Sequence, residues 1–411
     1  MQWSIRGAGK SSIVVAPIDP ASALAEFIRS EDPALVEATT KWYPFALRLP
    51  RHSPPVPQDG TLLLALEGLT IQHAYFSLSK RVSAELQEVA RHSDGGVVDC
   101  TKCAVLPDFA WTPSRAGPAA AIMMEIKPKW GGLPLCDEVV VKLVDGTERH
   151  HMPPSLCSSN CRYSMMLAHK KSPSPKTAVK YCPLDFFHCD PIRHRRAIEA
   201  LLAHPMNNLS MTVNGRRMDP SDPQFYSIAK QVFDTDELIP LELRSKVKAL
   251  QCLPLLEAPQ LDFIRSVSSE LEIEELRVSV LSARSCRCAG WVDAEACDGS
   301  PSSTITIAKS EFPQWLAEEE KRFFTAMSAR DVSILVQVLP NAVAREVSSA
   351  LQFIDRGCGR STRLLVVDVD SKQHKSIGYY AQHEEKIFRS WVSQTSLCSF
   401  HALIISFLGA L

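Results

Sequence analysis

An α+β fold with a smaller, sheet-rich first lobe is what the sequence predicts, and three observations predict it. Alternating and β-branched runs dominate up to Leu143. Helical periodicity takes over from Pro191. Two apolar runs, VSILVQVL at Val332–Leu339 and LLVVDV at Leu364–Val369, bring strands back near the end. With 411 residues and 45% hydrophobic composition, the chain can bury the core of one large two-lobed domain or of two domains.

In chain order, Ser4 to Ala16 reads as strand, glycine turn, strand, a hairpin able to lie over a ligand. RLPRHSPPVPQDG, from Arg48 to Gly60, is too rich in proline for helix and is expected to be mostly surface loop. Thr61–Leu66 then suggests a strand and Ser83–Arg91 a helix. Ala104–Leu106, Ile122–Ile126 and Glu138–Leu143 read as sheet, with TPSRAGPAAA as a linker before the second of them. PIRHRRAIEALL, from Pro191 to Leu202, is helical in period, and Leu238–Leu281 carries several amphipathic helical windows.

The formal net charge of -1 argues against a surface built for nucleic acid or anionic lipid, so an anionic ligand must be met by a local basic site. The start of the chain lacks the charged and apolar regions of a signal peptide. Its 13 cysteines are therefore expected to be reduced thiols in a cytoplasmic or nuclear protein. LCSFHALIISFLGAL at the end is shorter than the roughly 20 residues of a membrane span. A docked terminal helix or strand is expected there, with no membrane partner.

Four constellations carry possible chemistry. In MEIKPKWGGLP, Met124 to Pro134, the alternation of Glu125, Lys127 and Lys129 puts the three side chains on one strand face, and Pro128 marks the strand's end. Such a face can hold a phosphate; on spacing alone a solvated sheet edge is the better description. RGAGKSS, Arg6 to Ser12, fits a glycine-rich hairpin over nucleotide phosphates better than a phosphate-binding loop, which requires a glycine where Ser4 stands and a helix afterwards. A plain tight turn is the alternative. Asp331, Asp368 and Asp370 flank the late strands, where carboxylates either form turns or serve Mg²⁺ and proton transfer. Finally, Arg162, Lys170, Lys171, Lys176, Lys180, Arg193, Arg195 and Arg196 form a basic region dense enough for a polyphosphate, or an ordinary solvated face. Few aromatics are interleaved, which speaks against single-stranded nucleic acid. Cys286, Cys288 and Cys297 are spaced more tightly than in most zinc sites and read as structural thiols.

The order of these blocks resembles the inositol-pentakisphosphate 2-kinase family. EIKPKWGGLP is similar to its EIKPKxGxLP signature, WSIRGAGKSSIVVA to its glycine hairpin, FALRLPR to its K-V-x-R-[IL] strand and AVLPDF to its hinge. CRYSMMLAHK, YCPLDFF, HPMNNLSMTVNG, ARDVSI and VVDVDSKQHKSIGYY follow in family order, so the resemblance runs from the first ten residues to about Tyr380.

The resemblance implies a two-lobed kinase-like fold, with an N-lobe over 1–110 and a C-lobe over 111–411. It further implies an ATP- and Mg²⁺-dependent kinase that phosphorylates the 2-hydroxyl of inositol 1,3,4,5,6-pentakisphosphate, acting as a monomer on small molecules. Carried over, Gly9, Lys10, Ser11 and Ser12 line the ATP phosphates, Arg48 takes the role of the usual kinase lysine, and Pro107, Asp108 and Phe109 meet the adenine. Glu125 and Lys127 complete the nucleotide site, Lys127 also serving catalysis. Lys129, Arg162, Lys170, Asn207, Lys372 and Tyr379 hold the inositol phosphates. Asp331 is the base or orienting carboxylate for the 2-hydroxyl and Asp368 the Mg²⁺ ligand. The chain departs from the family at Ala8 and Ser12 in the hairpin, at Met166, where the family has His, and at Ser376, where some members have Arg. Those departures leave a second expectation, a non-catalytic inositol polyphosphate-binding protein derived from such a kinase.

Overall fold

The computed structural model describes residues 2–8, 12–51, 57–67, 69–91, 100–111, 121–133, 136–152, 161–170, 181–234, 238–281, 301–345, 347, 353–356, 359–373 and 375–408. The chain divides into two compact units. The first takes Met1–Lys127, Pro205–Leu238 and Val332–Ser371; the second takes Pro128–His204, Ile239–Asp331 and Lys372–Leu411.

In the first unit the hairpin Trp3–Ala8 and Ser12–Pro17 opens a five-stranded antiparallel sheet, continued by Phe45–Pro50, Lys102–Pro107 and Tyr75–Ser77. Phe45–Pro50 is buried along its whole length, as its apolar run FALRLP requires. The helices Pro20–Ser30 and Lys80–Arg91 cover this sheet, packing Phe27, Val82 and Leu86 against Ile13, Val15 and Leu47. Each such side chain contributes about 1.5–3 kcal/mol on burial. The helices Pro20–Ser30 and Pro33–Lys41 start at Asp-Pro pairs: Asp19 accepts from the amides of Ala21 and Ser22, and Asp32 from that of Ala34.

A six-stranded antiparallel sheet completes the unit, in the order Arg216–Arg217, Leu209–Val213, Ile122–Ile126, Ser333–Pro340, Arg360–Val367, Ile354–Asp355. Its register sets Glu125 opposite Ser210 and Leu335, and Leu335 opposite Leu365, so these side chains share one face. Phe109 and Ile71 pack on Leu365 from that side.

The second unit holds a four-stranded sheet ordered Pro301–Ala308, Ile273–Leu281, Cys136–Leu143, Glu148–His151. Val139, Val141, Leu276 and Val278 from this sheet meet Leu261 and Ile264 of the helix Ala258–Glu270, Phe323 of Phe312–Ala329 and Tyr380 of Ile377–Leu408. Gly131 lies so close to Phe187 that a Cβ there would stand 2.1 Å from the ring, which explains a glycine in the WGG loop.

Three local expectations change. Thr61–Ala65 lies in the helix Gly60–Ala65, not a strand, and Leu66 is its C-cap: Asp59 caps the amides of Thr61 and Leu62, and within the helix only Leu62 is buried. Ile273–Leu281, read as helical, is a strand, because it finds partners on both edges far away in sequence. The alternation through Glu125, Lys127 and Lys129 breaks, since the strand stops at Ile126 and Lys129 turns at φ 65. The terminal apolar run, as far as Leu408, lies in the helix Ile377–Leu408. Among the described residues no helix is long and apolar enough to cross a membrane. The linker 112–120 and Cys286, Cys288 and Cys297 lie outside the described residues, while Cys103, Cys189 and Cys252 are free thiols.

Candidate active site

Five side chains of the first unit meet where its larger sheet ends. The backbone amide of Lys127 donates to the carbonyl of Asn208 at 2.7 Å, the last rung before Pro128 removes a donor. Lys127 Nζ stands 3.2 Å from Glu125 Oε1 and 4.0 Å from Asp368 Oδ2. Ser333 Oγ lies 3.0 Å from Glu125 Oε1 and 2.8 Å from Asp368 Oδ2, and Ser210 Oγ donates to Glu125 Oε2 at 3.3 Å. One hydroxyl proton can serve only one of the two carboxylates at a time, so Lys127 carries much of their charge compensation. Asp368 leaves its strand at φ 62, a conformation that Asp tolerates better than most residues, and its side chain is 48% exposed. The pair of acids is thus open to a ligand.

Beside it, Arg48 is buried and forked onto Asp370, with NH1 to Oδ1 at 3.1 Å and NH2 to Oδ2 at 2.6 Å. Burial alone would lower the Arg48 pKa, but the hydrogen bond and charge of Asp370 outweigh it and raise the value. His73 Nδ1 accepts from Arg48 NH1 at 2.6 Å; burial and that neighbouring guanidinium push its pKa down to about 3, so the ring is neutral. Gln58 ties the segment further: its side chain accepts from the amide of His73, and its backbone bridges Asp370.

Just past the strand Lys102–Pro107, Asp108 is buried, which raises its pKa against the pull of Arg6, whose Nε and NH2 donate to it at 3.1 and 2.8 Å. Gln337 Nε2 donates to the Phe109 carbonyl, and Gln337 Oε1 accepts from Arg363, whose guanidinium lies 4.5 Å from the Phe109 ring centroid. Pro107 closes the strand that leads there.

In the second unit Lys372 Nζ donates to Asp331 Oδ2 at 2.8 Å, and the Asp331 side chain is 55% exposed. An exposed pair of this kind contributes at most about 1 kcal/mol, so an anion can take the lysine at little cost. Arg162 is held by Glu384 at 2.5 Å. Tyr379 is exposed, lies under Lys375 at 4.5 Å from ring centroid to Nζ, and stacks on His383. Lys170 and Asn207 are exposed, and Lys129 is half-buried. Gly9, Lys10 and Ser11 lie outside the described residues, and of Ser12 only the backbone is described.

The structure therefore gathers Glu125, Lys127 and Asp368 into one cluster and pairs Asp331 with Lys372. Each of Lys127, Lys129, Asp331 and Lys372 lies within two residues of a point where the chain passes from one unit to the other. Sequence reading passed over Ser333, Asp370 as a partner of Arg48, His73, and Asn208, whose buried amide has no hydrogen-bond partner for either atom. Only the adjacency of Asn208 to Asn207 hinted at it.

A family model described as inositol-pentakisphosphate 2-kinase matches residues 61–386. The chain belongs to that family. Two curated relatives named inositol-pentakisphosphate 2-kinase, from two strains of Cryptococcus neoformans var. neoformans serotype D, are each 24% identical over 302 residues, covering 68% of this chain and 66% of the relative. The match thus spans just under two thirds of their length. A relative of the same name from Drosophila melanogaster is 36% identical over 114 residues, 24% of this chain and 18% of its own.

The donor set suits a hard cation held partly by phosphate. Glu125 and Asp368 offer carboxylate oxygens that approach one hydroxyl from two sides. Among the described residues no three His, Cys, Asp or Glu side chains form a complete metal cluster. The two carboxylates of Glu125 and Asp368 fit Mg²⁺, which takes one or two carboxylates and leaves the rest to water and phosphate.

Proposed function

We propose that this chain transfers the γ-phosphoryl group of ATP to the 2-hydroxyl of inositol 1,3,4,5,6-pentakisphosphate, giving inositol hexakisphosphate and ADP. The observation that carries the reading is the convergence of Lys127 on Glu125 and Asp368 at the end of the family's signature strand. Arg48 and Lys127 offset charge on the nucleotide phosphates, Pro107 to Phe109 receive the adenine, and the hairpin residues Gly9 to Ser12 cover the phosphates. Asp368 and Glu125 would hold Mg²⁺, which supplies further charge neutralisation on the phosphates when bound.

On the inositol side, Lys129, Arg162, Lys170, Asn207, Lys372 and Tyr379 supply donors for a highly charged substrate. Asp331 accepts the proton of the 2-hydroxyl as its oxygen bonds to the γ-phosphorus and the bond to the bridging oxygen of ADP breaks. Lys372 orients that carboxylate from 2.8 Å. The test is incubation of the purified protein with ATP, Mg²⁺ and inositol pentakisphosphate, followed by chromatography of the inositol phosphates. Hexakisphosphate is the expected product. Tight binding of the pentakisphosphate with no product overturns the reading in favour of a binding protein.

A further inference from the structure

We propose that Gln251 is a positioning residue for phosphoryl transfer, a single side chain that fixes Lys129 and Asp331 together; the inference rests on the roles just given to those two residues. Gln251 ends the helix Leu241–Gln251 and is fully buried. Its amide is used completely on the protein side. Oε1 accepts from the amide of Gly131 at 2.8 Å, and Nε2 donates at 3.0 Å both to the carbonyl of Lys129 and to that of Ala329. One acceptor facing an N–H and two donors facing two carbonyls leave no ambiguity in the orientation of the amide.

The two segments it joins are those that carry the chemistry. Lys129 and Gly131 belong to the signature loop, and Ala329 ends the helix two residues before Asp331. The Gln251 backbone adds to the brace. Its carbonyl accepts from Arg330 Nε and NH2 at 3.2 and 3.0 Å. The Arg330 guanidinium lies over the Trp130 ring at 3.8 Å and is forked onto Glu257 at 2.7 and 2.8 Å. Residues 129–131 and 329–331 are therefore locked to one another through two independent routes, the Gln251 amide and Arg330.

Lys129 sits at φ 65, a backbone conformation unfavourable for lysine, which persists only where its surroundings over-determine it. The hydrogen bond to its carbonyl is one such constraint. A displacement of about 1 Å in such a pair can cost about a hundredfold in rate. Neither residue needs to touch Gln251 through its side chain for the brace to act.

The test is Gln251→Leu in the full chain, assayed for transfer and by hydrogen exchange. The expected result is a fall of tenfold or more in kcat/KM for inositol pentakisphosphate, KM for ATP within twofold of the parent, and faster exchange in peptides spanning both 127–133 and 327–333. Gln251→Glu keeps the acceptor for Gly131 but turns an oxygen toward the two carbonyls; it serves if the leucine variant does not fold, with the same expectation. Unchanged kcat/KM in a folded variant overturns the brace, as does exchange that rises in only one segment or throughout the chain. A parent protein without transferase activity overturns the functional reading instead, and is seen before any variant is made.

Discussion

Replacing Asp370 by leucine leaves the Arg48 guanidinium buried without its counter-ion. The side chains of the pair are 8% and 11% exposed, and two charge-assisted hydrogen bonds, at 3.1 and 2.6 Å, are lost at once. His73 remains as a neutral acceptor for a single nitrogen and cannot restore the charge balance. Removing one partner of such a buried pair costs about 3–5 kcal/mol. With a urea m value of about 2 kcal/mol per M, that is a drop of roughly 2 M in the midpoint of the first unit. Arg48→Met alone strands the Asp370 carboxylate and is expected to cost a similar amount. The double variant Arg48→Met, Asp370→Leu replaces the pair by apolar groups of similar size and should recover most of the loss, because the desolvation of both charges is then avoided. Urea unfolding of the four proteins, followed by circular dichroism, gives a coupling energy expected at about 3 kcal/mol or more. Additivity of the two single changes to within about 0.5 kcal/mol would show that the pair is not energetically linked and would sink the argument.

Two further outcomes follow from the same geometry. His73 has a folded pKa of about 3, well below its unfolded value near 6.5, so the unfolded chain binds a proton that the folded chain refuses. Its contribution to stability is complete above pH 6.5 and is lost as the pH falls from there toward 3, at up to about 1.4 kcal/mol per unit. Between pH 7 and 5 the parent should lose roughly 2 kcal/mol more than His73→Gln in urea titrations, and parallel profiles for the two proteins would contradict the assignment. Asp331→Asn, which keeps the size of an exposed side chain, is expected to lower turnover by about 10²- to 10⁴-fold. ATP affinity, measured by titration, should stay within twofold; a variant within tenfold of parental turnover would remove Asp331 from its role.

Much of the secondary structure was legible because it is governed locally. The hairpin from Trp3, the strands at Phe45–Pro50 and Ser333–Pro340 and the helix Pro191–Ala203 follow from runs and caps that each segment carries in itself. Ile273–Leu281 was misread because its charged residues alternate weakly and its strand state depends on two partners, Cys136–Leu143 and Pro301–Ala308, that local pattern does not reveal. Glu125, Lys127, Asp331, Asp368 and Lys372 stand inside ordered motifs and drew notice from the sequence; the structure gathers the first two with Asp368 and pairs Asp331 with Lys372. Ser333, His73 and Gln251 drew none, because serine, histidine and glutamine at those positions have ordinary local explanations and gain meaning only from neighbours hundreds or scores of residues away.

By itself, then, the sequence determined the class of fold, the family and the chemical identity of the charged groups, since hydrophobic period and motif order are properties of the chain as written. Tertiary structure alone decided which charges face one another. It set Asp370 rather than solvent against Arg48, placed one serine between two carboxylates, and ended the signature strand at Ile126, with Lys129 beyond it at φ 65. The physical reason is that register, burial and backbone turns fix distances of a few ångströms between residues far apart in sequence. Coulombic and hydrogen-bond energies depend on those distances and not on order along the chain.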